Sequence, residues 1–300
     1  MAGFGWVLAT LIAAAAQTAR NATQASLTRA IGTIGATHVR FLFGLPFALV
    51  FLALVAGLHG QPVPAVTLKA LGFTVLGALS QIAATALMLV LMKSQSFAVT
   101  TAWLKTEPVL VALIAAAVLG DPLTLAMLLA IATATAGVVL MSVKPGTPAA
   151  MWRDSGPALT GLLAGALFGL SAIGFRGAIV ALPEGDFLIR ATTILALGLT
   201  LQAATLGVWL LAFDRTALVA SLRAWKPSLA AGFLGAFASQ FWFIGFSLTS
   251  AANVRTLALI EVIFAQAVSW FVFRQAVSAR QMLGMAIIVL GVGLLLRSQP

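Results

Sequence analysis

Four polar residues in the first apolar stretch of the chain share one face of a helix. Gln17 and Gln24 each lie three and four residues from Arg20 and Asn21, and such spacings keep side chains on one helical face. The preceding run, GFGWVLATLIAAAA, is apolar enough to lie in a membrane. We predict that Gln17, Arg20 and Asn21 line a substrate path. The alternative is a polar seam that joins two helices.

Two carboxylates lie deep in other apolar stretches. Glu107 and Glu261 each stand about ten residues inside a run long enough to span a bilayer, and an ionisable group at that depth is a functional hypothesis by default. Each could bind a substrate ammonium, carry a coupling proton or neutralise a buried arginine. Lys105 lies on a different helical face from Glu107, so it is not the expected partner. Trp103 shares the Glu107 face at a spacing of four residues.

The other predicted substrate-binding residues are also polar, cationic or aromatic residues inside apolar stretches. They are Gln81, Arg176, Gln240 and Trp242. Arg176 occupies the place in the sixth stretch that Arg20 occupies in the first. Trp103 and Trp242 would wall a pocket for an amphipathic or aromatic substrate, whereas the alternative for both is simple packing.

The composition is that of an integral membrane protein. Hydrophobic residues make up 61% of the 300 and charged residues 8%, against roughly 25% charged in soluble domains. The absence of cysteine excludes disulfides and thiolate metal sites, and two histidines are too few for a dedicated metal centre, so no cofactor is predicted. The net charge of +10 comes from scattered residues, which indicates membrane topology signals rather than nucleic-acid binding.

Ten apolar stretches are long enough to cross about 30 Å of hydrocarbon. We therefore predict an all-α integral membrane protein with ten transmembrane helices. Their approximate limits are 4–27, 33–57, 69–92, 96–119, 122–142, 157–180, 187–212, 227–248, 251–273 and 280–297.

The two halves of the chain resemble each other. An offset of 154 residues aligns SFAVTTAWLKTEPVLVALIA with SAANVRTLALIEVIFAQAVS and places Glu107 on Glu261 and Gly137 on Gly291. We predict five-helix repeats at 1–148 and 149–300 within one membrane domain. Because five is odd, the repeats must have inverted topology, which favours a substrate site between the halves and transport by alternating access.

The basic residues of the connecting segments predict the orientation. The odd-numbered connections carry nine, and the opposite side carries only Lys69 and Arg297. The nine are Arg29, Lys93, Lys144, Arg153, Arg215, Arg223, Lys226, Arg274 and Arg280. Since basic loops stay in the cytoplasm, both termini are expected to be periplasmic.

The run PVLVALIAAAVLGDPLT at 108–124 resembles a signature of the drug/metabolite transporter superfamily, in its EamA-type ten-helix branch. This resemblance implies a multi-pass protein of the bacterial inner membrane. It also implies a secondary transporter that exports amino acids and other small metabolites, like the YddG-like aromatic amino acid exporters. The expected partners are a small-molecule substrate and the lipid bilayer, without nucleic acid, and a monomer is the working expectation.

Other functions remain open at this stage. An anion exchanger for sugar phosphates or nucleotide sugars would use the intramembrane arginines, and a proton-coupled multidrug exporter would use a glutamate and aromatic residues. A membrane enzyme is disfavoured, because the sequence lacks a paired-acid metal motif, an HExxH motif and a G-x-S-x-G elbow. A channel is less consistent with inverted repeats than a carrier.

Overall fold

The structure of the protein is a computed structural model. It describes residues 4–94, 104–105, 107–142, 155–271 and 278–298. Within these ranges only the backbone is described for residues 21–33, 36, 89, 92–94, 142, 155, 158, 227, 265 and 268–271. Every regular element within these residues is helical. The elements are α1 (Gly5–Leu42), α2 (Leu45–His59), α3 (Leu68–Ser94), α4 (Glu107–Leu119), α5 (Leu125–Ser142), α6 (Ser155–Val180), α7 (Phe187–Phe213), α8 (Arg215–Arg223), α9 (Trp225–Leu248), α10 (Ala251–Leu257), a 3₁₀ turn (Ala258–Ile260), α11 (Glu261–Phe271) and α12 (Ala279–Arg297).

Six segments in the described residues are long and apolar enough to cross a membrane. They are Thr37–His59, Leu68–Met88, Leu159–Val180, Phe187–Phe213, Ser228–Leu248 and Ala279–Arg297. Two shorter apolar helices cover Glu107–Leu119 and Leu125–Met141. An all-helical membrane protein is therefore confirmed at this level, while the count of ten transmembrane helices and the inverted repeat stay predictions.

The boundary between the first two helices lies at a different position from the one predicted from the sequence. We expected a break between spans 4–27 and 33–57, but α1 runs unbroken from Gly5 to Leu42 and the chain breaks at Phe43–Gly44. Residues 28–32 contain no proline, whereas Pro46 occupies the first turn of α2. The break is also a tight crossing, because a methyl group on Gly232 would lie 2.7 Å from Phe43 Cβ. Close packing against another helix thus sets the boundary.

The ninth expected span is interrupted. The described part of the range 251–273, residues 251–271, contains α10, the 3₁₀ turn and α11 rather than one continuous helix. The turn consists of apolar residues, Ala258–Ile260, so no polar or proline signal in the sequence marks it. Glu261 is the first residue after this turn.

The chain forms two compact units. Unit 1 comprises Met1–Ile82 and Gly174–Thr249, and unit 2 comprises Ala83–Ile173 and Ser250–Pro300. Each unit therefore combines segments from both predicted halves. In unit 1, α1 lies along α9 and α2 packs against α7. In unit 2, α5 lies along α12 and α4 packs against α10.

The contact between α5 and α12 is reciprocal. A methyl group on Gly137 would lie 2.8 Å from Ile288 N, and one on Gly291 would lie 2.7 Å from Ala134 Cα. Gly291 and Ile288 stand 154 positions after Gly137 and Ala134 respectively. The offset of 154 residues that aligns the two halves therefore relates each glycine of this contact to the other glycine, and Ala134 to Ile288.

Short polar side chains begin several helices. Asp186 accepts hydrogen bonds from Leu188 N and Ile189 N at the start of α7, and Asp214 accepts one from Ala217 N at the start of α8. Ser278 and Gln281 form a capping box at the start of α12. These side chains satisfy backbone donors that the first helical turn leaves without partners.

Candidate functional site

Two acid–base pairs lie close together in unit 2. Arg255 Nε stands 2.7 Å from Glu107 Oε1, and Lys105 Nζ stands 3.4 Å from Glu261 Oε2. All four groups interact electrostatically, and their formal charges sum to zero. We call Lys105, Glu107, Arg255 and Glu261 the charge cluster. It pairs the two predicted glutamates with two cations that the sequence did not assign to them.

Both glutamates begin a helix. Glu107 is the first residue of α4 and Glu261 is the first residue of α11. The positive end of the helix dipole favours a carboxylate at this position. Discontinuous helices at corresponding places in two repeats are a common architecture for transporter binding sites. The interruption before Glu261 therefore places its carboxylate where such a site is expected.

The charge cluster is mostly, but not completely, buried. The side chains of Glu107 and Arg255 are 13% and 14% exposed, and those of Glu261 and Lys105 are 11% and 20% exposed. Gly169 on α6 packs closely beside the first pair, since a methyl group there would lie 2.9 Å from Val111 Cγ2 and 3.8 Å from Glu107 Cγ. Small-molecule access is thus greatest at Lys105.

Unit 1 contains a cleft of amide and aromatic groups. Its volume is only about 10 Å³, which is room for about one water molecule. The lining residues are Gln81, Phe175, Leu195, Gly198, Leu199, Gln202, Ser239 and Phe243. Gln202 Nε2 donates a hydrogen bond of 2.6 Å to Gln81 Oε1. The rings of Phe175 and Phe243 lie 4.7 Å apart between centroids. Of the predicted residues, Gln81 lies in this cleft.

The other predicted glutamines in unit 1 have specific partners. Trp242 Nε1 donates to Gln17 Oε1 at 3.1 Å, which ties α9 to α1. Gln240 Nε2 donates to Thr192 Oγ1 at 2.8 Å. The structure thus brings Gln17 and Trp242 together, although the sequence placed them 225 residues apart.

The two arginines predicted for the path have different surroundings. Arg20 is buried beside Gly235, where a methyl group would lie 3.6 Å from Arg20 Cδ. Arg176 donates to the carbonyl oxygens of Phe246, at 2.8 Å, and Thr249. These carbonyls end α9, so Arg176 supplies donors and positive charge at a helix C-terminus. The structure describes the backbone of Asn21 but not its side chain, so the prediction for Asn21 is not addressed. Trp103 lies outside the described residues.

Sequence reasoning missed several partners. Gln202, Thr192 and Ser239 were not selected, because a single polar residue in an apolar helix gives no periodic signal. Arg255 was not among the predicted site residues. Its pairing with Glu107 joins α10 to α4 across 148 positions of sequence, which no local spacing reveals.

A polar cluster at the ends of two spans joins the end of α2 to the start of α7. Asp186 Oδ2 lies 3.3 Å from both His59 Nδ1 and Gln61 Nε2, and Gln61 Oε1 accepts from Asp186 N at 3.1 Å. Partial burial acts to raise the pKa of Asp186, but hydrogen bonds from the backbone of Ile189 and Leu188 and from His59 outweigh it and lower the pKa. No group of three or more histidines, aspartates or glutamates suited to a metal ion occurs in the described part of the chain.

Comparisons with known proteins agree with a membrane transporter. Residues 156–297 match the model of the EamA-like transporter family. One solved crystal structure has a similar fold, with a TM-score of 0.71 and 15% sequence identity over 98% of this chain and 94% of that chain. At this identity the likeness concerns the fold alone. A search of curated proteins finds no significant match.

Proposed function

We propose that the protein is a secondary transporter of the drug/metabolite type that exports amino acids, aromatic ones included, and related small metabolites across the bacterial inner membrane by alternating access. The charge cluster is the observation that carries this proposal. It supplies two carboxylates for an ammonium and two cations for a carboxylate, held at helix interruptions in an apolar environment. The family match over 156–297 supports the transport function.

The substrate-binding residues of this proposal are the predicted polar and aromatic residues. Glu107 and Glu261 act within the charge cluster, and Trp103, four positions before Glu107 in sequence, provides the ring surface for an aromatic side chain. In unit 1 the set comprises Gln17, Arg20, Asn21, Gln81, Arg176, Gln240 and Trp242. Their polarity within apolar helices supports a solvated transport path.

The pairing of the cations favours an amino acid over a phosphate compound. Lys105 and Arg255 each face a glutamate, and Arg176 donates to backbone carbonyls. Within the charge cluster, the two glutamates therefore offset Lys105 and Arg255 and leave no excess of positive charge for a doubly charged phosphate. The charge cluster matches a substrate that carries one charge of each sign.

Counterflow in liposomes tests the proposal. Purified protein is reconstituted with unlabelled substrate inside, and uptake of labelled phenylalanine, tryptophan, a sugar phosphate and a quaternary ammonium compound is followed with and without a pH gradient. We expect saturable uptake of amino acids with trans-stimulation. Uptake of only the sugar phosphate or only the quaternary cation would overturn the proposal in favour of the corresponding alternative.

A further inference from the structure

The two pairs of the charge cluster differ in how tightly they are held. The Glu107–Arg255 pair is the shorter, at 2.7 Å, and Arg255 lies within α10. The Lys105–Glu261 pair is longer, at 3.4 Å, and Lys105 has the most exposed side chain of the four. A long, partly exposed pair has less attraction to lose on separation than a short one.

The backbone around the two pairs also differs. Lys105 lies in a turn before α4, and Glu261 directly follows the 3₁₀ turn. Each glutamate is the first residue of a helix, so the two pairs differ in their cations: Lys105 lies in a turn, whereas Arg255 lies within α10. Small changes in backbone torsion in such a turn absorb movement, so the Lys105–Glu261 pair can open while Glu107 and Arg255 stay together.

A charge-neutral exchange is possible at the longer pair. A substrate ammonium can take the place of Lys105 Nζ at Glu261, while the substrate carboxylate takes the place of Glu261 at Lys105. Both protein charges then keep an opposite charge, so the exchange avoids the large penalty of an unpaired buried charge. A substrate that bears only one of the two charges leaves one protein group uncompensated.

We propose that Lys105 and Glu261 form the recognition pair for the α-ammonium and α-carboxylate of a zwitterionic amino acid, and that Glu107 and Arg255 anchor this pair. The inference rests on the proposed function, because it assigns the substrate head group within the same site. It predicts that the carrier selects for both charges of the substrate together.

Substrate analogues that lack one charge test this assignment. Counterflow of labelled phenylalanine is measured against unlabelled 3-phenylpropionate, which lacks the ammonium, and 2-phenylethylamine, which lacks the carboxylate. In the wild type only phenylalanine itself is expected to compete. Glu261→Gln leaves Lys105 to bind a carboxylate, so 3-phenylpropionate should gain about tenfold in competition. Lys105→Gln should give the same gain to 2-phenylethylamine.

Matched controls remove charges elsewhere. Lys69→Gln and Glu184→Gln change exposed side chains and should keep the wild-type selectivity. If a single variant does not fold, the double variant Lys105→Gln/Glu261→Gln removes both charges together and should lose phenylalanine counterflow while remaining folded. Unchanged competition in the single variants, or normal phenylalanine counterflow in the double variant, would overturn the assignment. Absence of amino acid counterflow in the wild type would instead refute the proposed function.

Discussion

At the scale of single residues, the role of each charged side chain within the apolar stretches depends on the opposite charge that it contacts. Glu107 was expected on sequence grounds to bind a substrate, carry a proton or neutralise an arginine, and it lies 2.7 Å from Arg255. Glu261 lies opposite Lys105 rather than another arginine. The expectation that Lys105 is not the partner of Glu107, argued from their separation of two residues, agrees with these contacts.

Glu107→Gln should lower the stability of the protein. The amide keeps the shape of the side chain but leaves Arg255 without a counter-charge, and breaking one side of a buried pair typically costs about 3–5 kcal/mol. Thermal unfolding in detergent should show a clear decrease in Tm. The double variant Glu107→Gln/Arg255→Gln should recover much of the loss. A Glu107→Gln protein that is as stable as the wild type yet inactive would show that Glu107 binds substrate or carries a coupling proton.

Asp186 gives a prediction for pH. Its folded-state pKa lies below the ordinary value of 3.8, so the ionised carboxylate stabilises the folded chain above about pH 3.8. That stabilisation is lost as the pH falls below 3.8 through the folded-state pKa. Asp186→Asn keeps an oxygen that can cap α7 but has no charge. The wild type should therefore have the higher Tm at pH 7, and the difference should shrink toward pH 3. A constant difference across this range would contradict the assignment.

At the scale of the helices, apolar patterning identified most elements but not their interruptions. The expected spans 69–92, 187–212 and 280–297 correspond to α3, α7 and α12. The break at Phe43–Gly44 coincides with a close approach to Gly232, which hydropathy does not measure. The 3₁₀ turn at Ala258–Ile260 consists of apolar residues, so hydropathy does not separate it from the helices on either side. Helix α8, between the seventh and eighth expected spans, begins at the cap that Asp214 provides.

Helix packing gives a matched pair of glycine substitutions on α12. Gly291→Ala places a methyl group 2.7 Å from Ala134 Cα, whereas nothing lies within 4 Å of a methyl group on Gly293. Overpacking typically costs about 1–3 kcal/mol, so Gly291→Ala should lower the Tm. Gly293→Ala should leave the Tm unchanged or raise it slightly, because alanine favours helix. Equal effects of the two changes would show that α5 and α12 do not cross at Gly291.

At the scale of the whole molecule, composition predicted the class and an internal alignment predicted the repeat. Three pairs of helices from matching places in the two halves pack together within the units: α2 with α7, α4 with α10, and α5 with α12. The duplication itself stays a prediction. The composition of the two compact units could not be predicted, since it depends on contacts between distant segments.

The orientation can be measured directly. Arg29, counted in a connection, lies within α1, and without it the predicted cytoplasmic side still has eight basic residues against Lys69 and Arg297. Both termini should therefore be periplasmic. An alkaline phosphatase fusion at Pro300 should be active and a green fluorescent protein fusion at the same place should be dark. The reverse result would place the termini in the cytoplasm.

If the two halves arose by the predicted duplication, the reciprocal contact between α5 and α12 has an evolutionary consequence. In this contact the residue pair Gly137 and Ile288 corresponds to the pair Gly291 and Ala134 through the same offset of 154 residues. An isologous interface in a homodimer has the same property, because residue i contacts residue j and residue j contacts residue i. In a protein made of two identical chains, one mutation would alter both sides of that interface at once. Once the copies are joined in one gene, Gly137 and Gly291 can change separately. Fusion thus allows each half of the contact to diverge while the other preserves the close approach of the helices.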